Sequence, residues 1–137
     1  MIKGFTCGVF DLFNPGHVTM LRNAKKVCDY LIVGIQTNPT IDRKDKHKPV
    51  QSILERSIVV YACKYVDQLI VYETEKDLED ILDTMTIDVR ILGFDHTEDK
   101  FLTGAEICKQ RGIEMIYQRR GGRWSTSELR ERIKKAK

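Results

Sequence analysis

The order of hydrophobic patterns along the chain predicts an α/β fold, a single Rossmann-like, doubly wound, parallel five-stranded sheet with helices on both faces. Short β-rich runs alternate with stretches whose apolar residues recur every three or four positions. Alternation of this kind requires crossover connections, and those cover both faces of a parallel sheet. Local start signals also stand where the helices should begin.

Residues 3–9 have the character of a first strand. Val18, Leu21, Ala24 and Cys28 then recur at helical spacing and define a helix over 16–28. Tyr30-Leu31-Ile32-Val33-Gly34-Ile35-Gln36 is the second strand. Residues 37–51 are irregular and rich in Lys and Asp, and a loop of that length inside a compact domain is functional or mobile. A helix follows over 52–64, then a strand over 68–72, a helix over 76–85, a strand over 89–93, a helix over 103–111, a strand over 114–118 and a terminal helix over 125–135. Ser52 with Glu55 and Ser125 with Glu128 are spaced as capping boxes, and Thr74 with Asp77 is a weaker version.

The 137 residues are read as one domain, 1–137, with no repeat or interdomain linker. No apolar run approaches the roughly 20 residues of a membrane helix, and no signal peptide is visible, so a cytoplasmic location is expected. Cys7, Cys28, Cys63 and Cys108 form no Cys-x-x-Cys pair and are expected to be reduced and buried. The net charge of +3 is modest. Basic residues cluster at 43–48, at Arg119, Arg120 and Arg123, and from Arg130 onward; the last group, Arg130 included, reads as the solvated face of a terminal helix. These clusters carry no nucleic-acid motif and no aromatic platform beyond Trp124, so nucleic acid is not expected as a partner.

The most informative stretch is Gly8-Val9-Phe10-Asp11-Leu12-Phe13-Asn14-Pro15-Gly16-His17, where the first strand runs into the first helix. Open α/β sheets bind ligands at the carboxyl ends of their strands. Gly8 and Gly16 let an anion approach the backbone, and the unpaired N–H groups of the first helical turn point at it. Taken alone, Asn14 also reads as a plain N-cap with Pro15 at the first helical position. The segment resembles the His-x-Gly-His signature of the cytidylyltransferase-like nucleotidyltransferases, and is most similar to the small glycerol-3-phosphate cytidylyltransferases. The likeness continues through residues 29–35, Glu55-Arg56, Lys64-Tyr65-Val66-Asp67, Leu92-Gly93-Phe94-Asp95 and Ser125-Thr126-Ser127. Asn14 stands where the family has its first histidine.

That resemblance implies nucleotidyl transfer, in which a phosphate oxygen attacks the α-phosphorus of a nucleoside triphosphate and pyrophosphate leaves in line. It implies catalytic roles for His17, Asn14, Lys44 and Arg120. It implies a nucleotide site of Gly8, Val9, Phe10, Asp11, Gly16, His17, Lys46, Gly93, Asp95, Arg120, Ser125, Thr126 and Ser127. Lys44 and Lys46 would close over the triphosphate from the long loop. Arg56 and Lys64, about 80° apart around one helix axis, would hold the acceptor's phosphate. Mg2+ would ride on the triphosphate, since the chain has no carboxylate cage or His/Cys cluster that would make a metal site of its own. The implied reaction joins CTP and sn-glycerol 3-phosphate, or a similar small phosphorylated alcohol, in a homodimer. An ATP-using enzyme with a sugar-phosphate or flavin acceptor, and a nucleotide-binding module that has lost catalysis, remain as alternatives. His47 and His96 receive no role.

Overall fold

The computed structural model describes residues 1–93, 102–119 and 124–136. Five strands, β1 (Lys3–Gly8), β2 (Tyr30–Gln36), β3 (Gln68–Tyr72), β4 (Val89–Gly93) and β5 (Glu114–Gln118), alternate with five helices, α1 (Pro15–Lys25), α2 (Ile53–Tyr61), α3 (Glu75–Thr84), α4 (Ala105–Arg111) and α5 (Thr126–Lys135). The strands form one sheet of order β3-β2-β1-β4-β5, and every pair is parallel. The expected doubly wound α/β architecture is therefore present, and the strand order reverses direction between β1 and β4.

Each face of the sheet carries its own core. Leu21, Ala24, Leu31, Val33, Ile35, Val60 and Ile91 pack on one side; Phe5, Ile32, Leu78, Leu82, Ile87 and Cys108 pack on the other. Strands buried on both faces read as near-continuous apolar runs, which is why Leu31 to Ile35 show no polar alternation. All four cysteines are free. Among the described residues no helix is long and apolar enough to cross a membrane.

Helix boundaries depart from the sequence reading where a turn intervenes. α2 ends at Tyr61 rather than at 64, because Cys63 N–H bonds Val60 O and Val66 N–H bonds Cys63 O, turning the chain so that Val66 enters the core. α1 ends at Lys25, leaving Cys28 beyond it. α4 starts at Ala105, because Gly104 before it has φ 79°, a left-handed conformation that breaks the helix. The long loop contains one 3-10 turn, Pro39–Ile41, capped by the Asn38 side chain. The Ser52 and Thr74 capping boxes close in both directions; at Ser125 only the serine hydroxyl caps, accepting from Glu128 N–H.

Candidate active site

The turn between β1 and α1 is held in a strained and heavily bonded conformation. Phe10 and Leu12 have φ of 54° and 51°, the left-handed region that side-chain-bearing residues rarely occupy. Buried Asp11 lies between them. Its carboxylate accepts Val50 N–H at 2.8 Å and Gln51 N–H at 2.9 Å and pairs with Arg130 at 2.6 Å. Burial alone would raise its pKa, but the two backbone donors and the Arg130 guanidinium outweigh that and hold it below the ordinary carboxylate range. Leu12 N–H adds a bond to the Gln51 side chain at 2.8 Å.

Asn14 and His17 lock each other at the start of α1. Asn14 Oδ1 accepts Gly16 N–H at 2.9 Å, and His17 Nδ1 accepts Asn14 N–H at 3.1 Å. The neutral His17 ring therefore carries its proton on Nε2. That nitrogen lies 3.3 Å from Thr126 Oγ1, which also accepts from Asn14 Nδ2 at 3.3 Å and donates to Asp11 O at 3.3 Å. The hydroxyl is thus satisfied by two donors and one acceptor. Phe13 stacks on the imidazole, with centroids 5.4 Å apart and planes 10° from parallel, and Phe10 closes the other side at 5.4 Å. Burial between these rings drives the His17 pKa down to about 4, against a smaller upward pull from Asp11. At neutral pH the ring is an uncharged hydrogen-bond donor. The capping role and the expected anion-facing role of Asn14 and His17 coexist in one geometry.

The amino terminus of α5 meets that of α1. Gly16 allows the approach: a Cβ there would stand 2.6 Å from Trp124 O. Ser125 caps α5, Thr126 enters the network just described, and Ser127 follows in the first turn. Two helix N-termini with their unpaired N–H groups thus converge beside His17.

At the reversal of strand order a cleft of about 360 Å3 opens. Gly8, Val9 and Gly93 line it at the strand ends, and Lys46 lines it from the long loop; Tyr72, Glu75, Arg90 and Thr103 complete its far side. Glu75 Oε1 accepts from Arg43 at 2.7 Å and from Thr103 at 2.8 Å, while Glu75 N–H donates to Asp42 at 2.6 Å. Burial pushes the Glu75 carboxyl up, and those donors with the Arg43 charge bring it below its ordinary value. Lys44 is exposed on the same loop. Among the described residues no group of three or more His, Cys, Asp or Glu could hold a metal.

Two expected acceptor residues are placed elsewhere, and one residue set aside pairs with a candidate site residue. Arg56 is 2% exposed and is spent on backbone carbonyls: Nε donates to Gln51 O at 3.1 Å, Nη1 to Val9 O at 3.0 Å and Gln36 O at 2.6 Å, and Nη2 to Thr37 O at 2.6 Å. Lys64 lies past the end of α2, ahead of the start of β3 and so at the amino edge of the sheet, with its ammonium over the Tyr65 ring at 5.3 Å. The pair therefore does not share a helix face, and neither residue meets the expectation of an acceptor-phosphate ligand. Arg130, expected on a solvated face, instead reaches across to Asp11. Only its place one turn inside α5 hinted at this. Asp95 and Arg120 lie outside the described residues.

With this geometry established, comparison with known proteins is specific. A family model described as cytidylyltransferase-like matches residues 5–132. The bifunctional protein HldE of Paramagnetospirillum magneticum is 37% identical over 82% of this chain and 23% of its own length. The ethanolamine-phosphate cytidylyltransferase of Arabidopsis thaliana is 38% identical over 69% of this chain and 23% of its own length. The chain thus spans about a quarter of the curated relatives it matches. A crystal structure of the lipopolysaccharide core biosynthesis protein from Thermoplasma volcanium GSS1 superposes with a TM-score of 0.70 at 26% identity, covering 91% of this chain and 99% of the other.

Proposed function

Because the chain belongs to the cytidylyltransferase-like family of nucleotidyltransferases, we propose that it transfers a cytidylyl group from CTP to sn-glycerol 3-phosphate or a similar phospho-alcohol. A phosphate oxygen of the acceptor attacks the α-phosphorus, the bond to the bridging oxygen breaks, and pyrophosphate leaves, giving CDP-glycerol. The substrate is the magnesium salt of the triphosphate. No covalent enzyme intermediate is needed, so the protein's task is to position two anions and stabilise charge on the transferring phosphate.

The observation that carries this reading is the convergence of neutral His17, the α1 N-terminus and the α5 N-terminus beside the cleft at the strand-order reversal. His17 Nε2–H donates to the α-phosphate once the triphosphate displaces Thr126 as its partner. The helix N-termini and Ser125 to Ser127 take the outer phosphates. Lys44 and Lys46 bring mobile positive charge from the loop, a point charge suiting a group that must engage and release. Asn14 contributes a neutral donor where the resemblance expects a histidine.

A second reading is favoured by the Thermoplasma structure, whose description concerns lipopolysaccharide: adenylyl transfer from ATP to a sugar phosphate at the same site. Pyrophosphate release from purified protein with magnesium, crossing CTP and ATP against glycerol 3-phosphate, phosphoethanolamine and a hexose 1-phosphate, separates the two. Release with CTP and glycerol 3-phosphate is expected. Release only with ATP and the sugar phosphate would replace the first reading with the second, and nucleotide binding without release in any combination would leave a non-catalytic binder. The resemblance also implies a homodimer. Exposed Leu54, Ile58 and Tyr61 on α2, beside Val71 of edge strand β3, offer it an apolar face. Sedimentation equilibrium tests it.

A further inference from the structure

With Arg56 spent on the backbone and Lys64 at the opposite edge, the acceptor's phosphate lacks the partners that the sequence assigned to it. The cleft contains a cation that sequence reading passed over. Arg90 sits inside β4 between Val89 and Ile91, both buried, in a strand whose other interior positions are apolar. A parallel strand covered on both faces is ordinarily filled with Val, Ile and Leu, so a charged side chain there is an interruption that calls for a physical reason.

The environment of Arg90 does not supply one. It is 2% exposed and lines the cleft. A guanidinium has five N–H donors, and among the described residues this one makes a single hydrogen bond, Nη1 to Thr103 O at 2.6 Å. Among the described residues no carboxylate lies within ion-pair distance of it; the nearest candidate by position, Glu75, is committed to Arg43 and Thr103. Arg56 shows what a self-sufficient buried arginine looks like in this protein, with four carbonyls around one guanidinium. A cation taken out of water with donors left over is costly unless an anion joins it. Tyr72, whose hydroxyl is a neutral donor, lines the same cleft.

We propose that Arg90 is the anion anchor of the acceptor subsite, its N–H groups beyond the one bound to Thr103 gripping the phosphate of a small phosphate monoester within the cleft lined by Tyr72 and Thr103. Planar, bidentate recognition of a phosphate is what a guanidinium does better than an ammonium. The assignment rests on the nucleotidyl-transfer reading for its biological meaning, but the anion site itself is testable without turnover.

The test has two arms on the wild type, Arg90→Gln and Arg90→Lys. In the first, glycerol 3-phosphate is titrated calorimetrically into protein without nucleotide, and CTP is titrated separately. Wild type is expected to bind both. Arg90→Gln should lose at least tenfold in affinity for glycerol 3-phosphate while CTP affinity stays within twofold, and Arg90→Lys should fall between. In the second, pyrophosphate release should show the KM for glycerol 3-phosphate raised at least tenfold in Arg90→Gln with the KM for CTP unchanged. Equal glycerol 3-phosphate affinity in wild type and Arg90→Gln, absence of binding in both, or a parallel loss of CTP affinity would overturn the proposal. If Arg90→Gln does not fold, Arg90→Lys decides by the same criterion, a selective loss of the phosphate ester. Binding that depends on Arg90 in a protein that releases no pyrophosphate would keep the anion site and reject the catalytic reading.

Discussion

The turn over residues 8–17 and the loop over residues 37–51 both border the candidate triphosphate site, yet they are built on opposite plans. In the turn, every polar side chain is committed: Asp11 to two amides and Arg130, Asn14 to Gly16, Leu12 and Thr126, His17 to Asn14. Among the described residues the loop is tied on either side of residues 44–49. Asp42 and Arg43 are fixed to Glu75 before this arc, and Val50 and Gln51 hang on Asp11 after it. Between these anchors Lys44, Lys46 and Lys48 are exposed and make no side-chain hydrogen bond among the described residues. The difference separates two tasks. On the proposed reading, a rigid cradle would fix where charge develops, its hydrogen bonds costing no reorganisation when the reaction occurs, and cations on a tethered arc would supply charge that can come and go.

Arg56 joins the two plans, since its four carbonyl partners belong to the turn (Val9), to the end of β2 (Gln36) and to both ends of the loop (Thr37 and Gln51). Breaking it gives the largest expected effect. Arg56→Met should cost about 3–5 kcal/mol of stability by leaving buried carbonyls unpaired, measured by urea unfolding, and should weaken activity through loss of both regions at once. A loss confined to the KM for the acceptor, with stability intact, would restore the acceptor-binding role.

His17→Ala attacks the cradle alone. Its expected cost is about 10²–10³-fold in kcat, the scale of one preorganised donor. The imidazole should titrate near pH 4 by NMR in the free protein, and added triphosphate should raise that value because a nearby anion favours imidazolium. Titration near 6.5 in the free protein would show that the ring is not sandwiched as described.

Next in size is the Asp11–Arg130 link, for which a double-mutant cycle with Asp11→Asn and Arg130→Met should give a coupling of about 1–3 kcal/mol. The Asp11 pKa is lowered by folding, so its contribution is complete above the unfolded value near 4 and is lost as pH falls through the lower folded value. The stability gap between wild type and Asp11→Asn should therefore be level from neutral pH to about 5 and narrow only at more acid pH.

The smallest effects should come from the loop. Lys44→Ala and Lys46→Ala should each lower kcat/KM by about tenfold, the worth of one charge-assisted hydrogen bond, with stability changed by no more than about 0.5 kcal/mol. A large stability loss from either would contradict the tethered-arc description.

The strands were legible almost residue by residue, because continuous apolar runs such as Leu31 to Ile35 leave no other reading. The cradle was legible too, since Asn14, Pro15 and Gly16 carry local turn and capping chemistry. Arg56, Arg90 and Arg130 were misread or passed over for a common reason. An arginine's role depends on what its long side chain meets 13 to 119 residues away in sequence, and periodicity contains no term for that. Lys64 failed differently: a helix extended three residues too far turned an end-of-sheet turn into a helix face.

The bonds from Asp11 to Arg130 and from Thr126 back to the Asp11 carbonyl have a consequence for how the protein is made. During synthesis β1 can pair with β2 early, yet its turn lacks its closing contacts until α5 has left the ribosome and returned across 119 residues of chain. Before that moment a nascent chain would hold the strained turn with fewer partners, so on the proposed reading competence for the triphosphate would come late in synthesis.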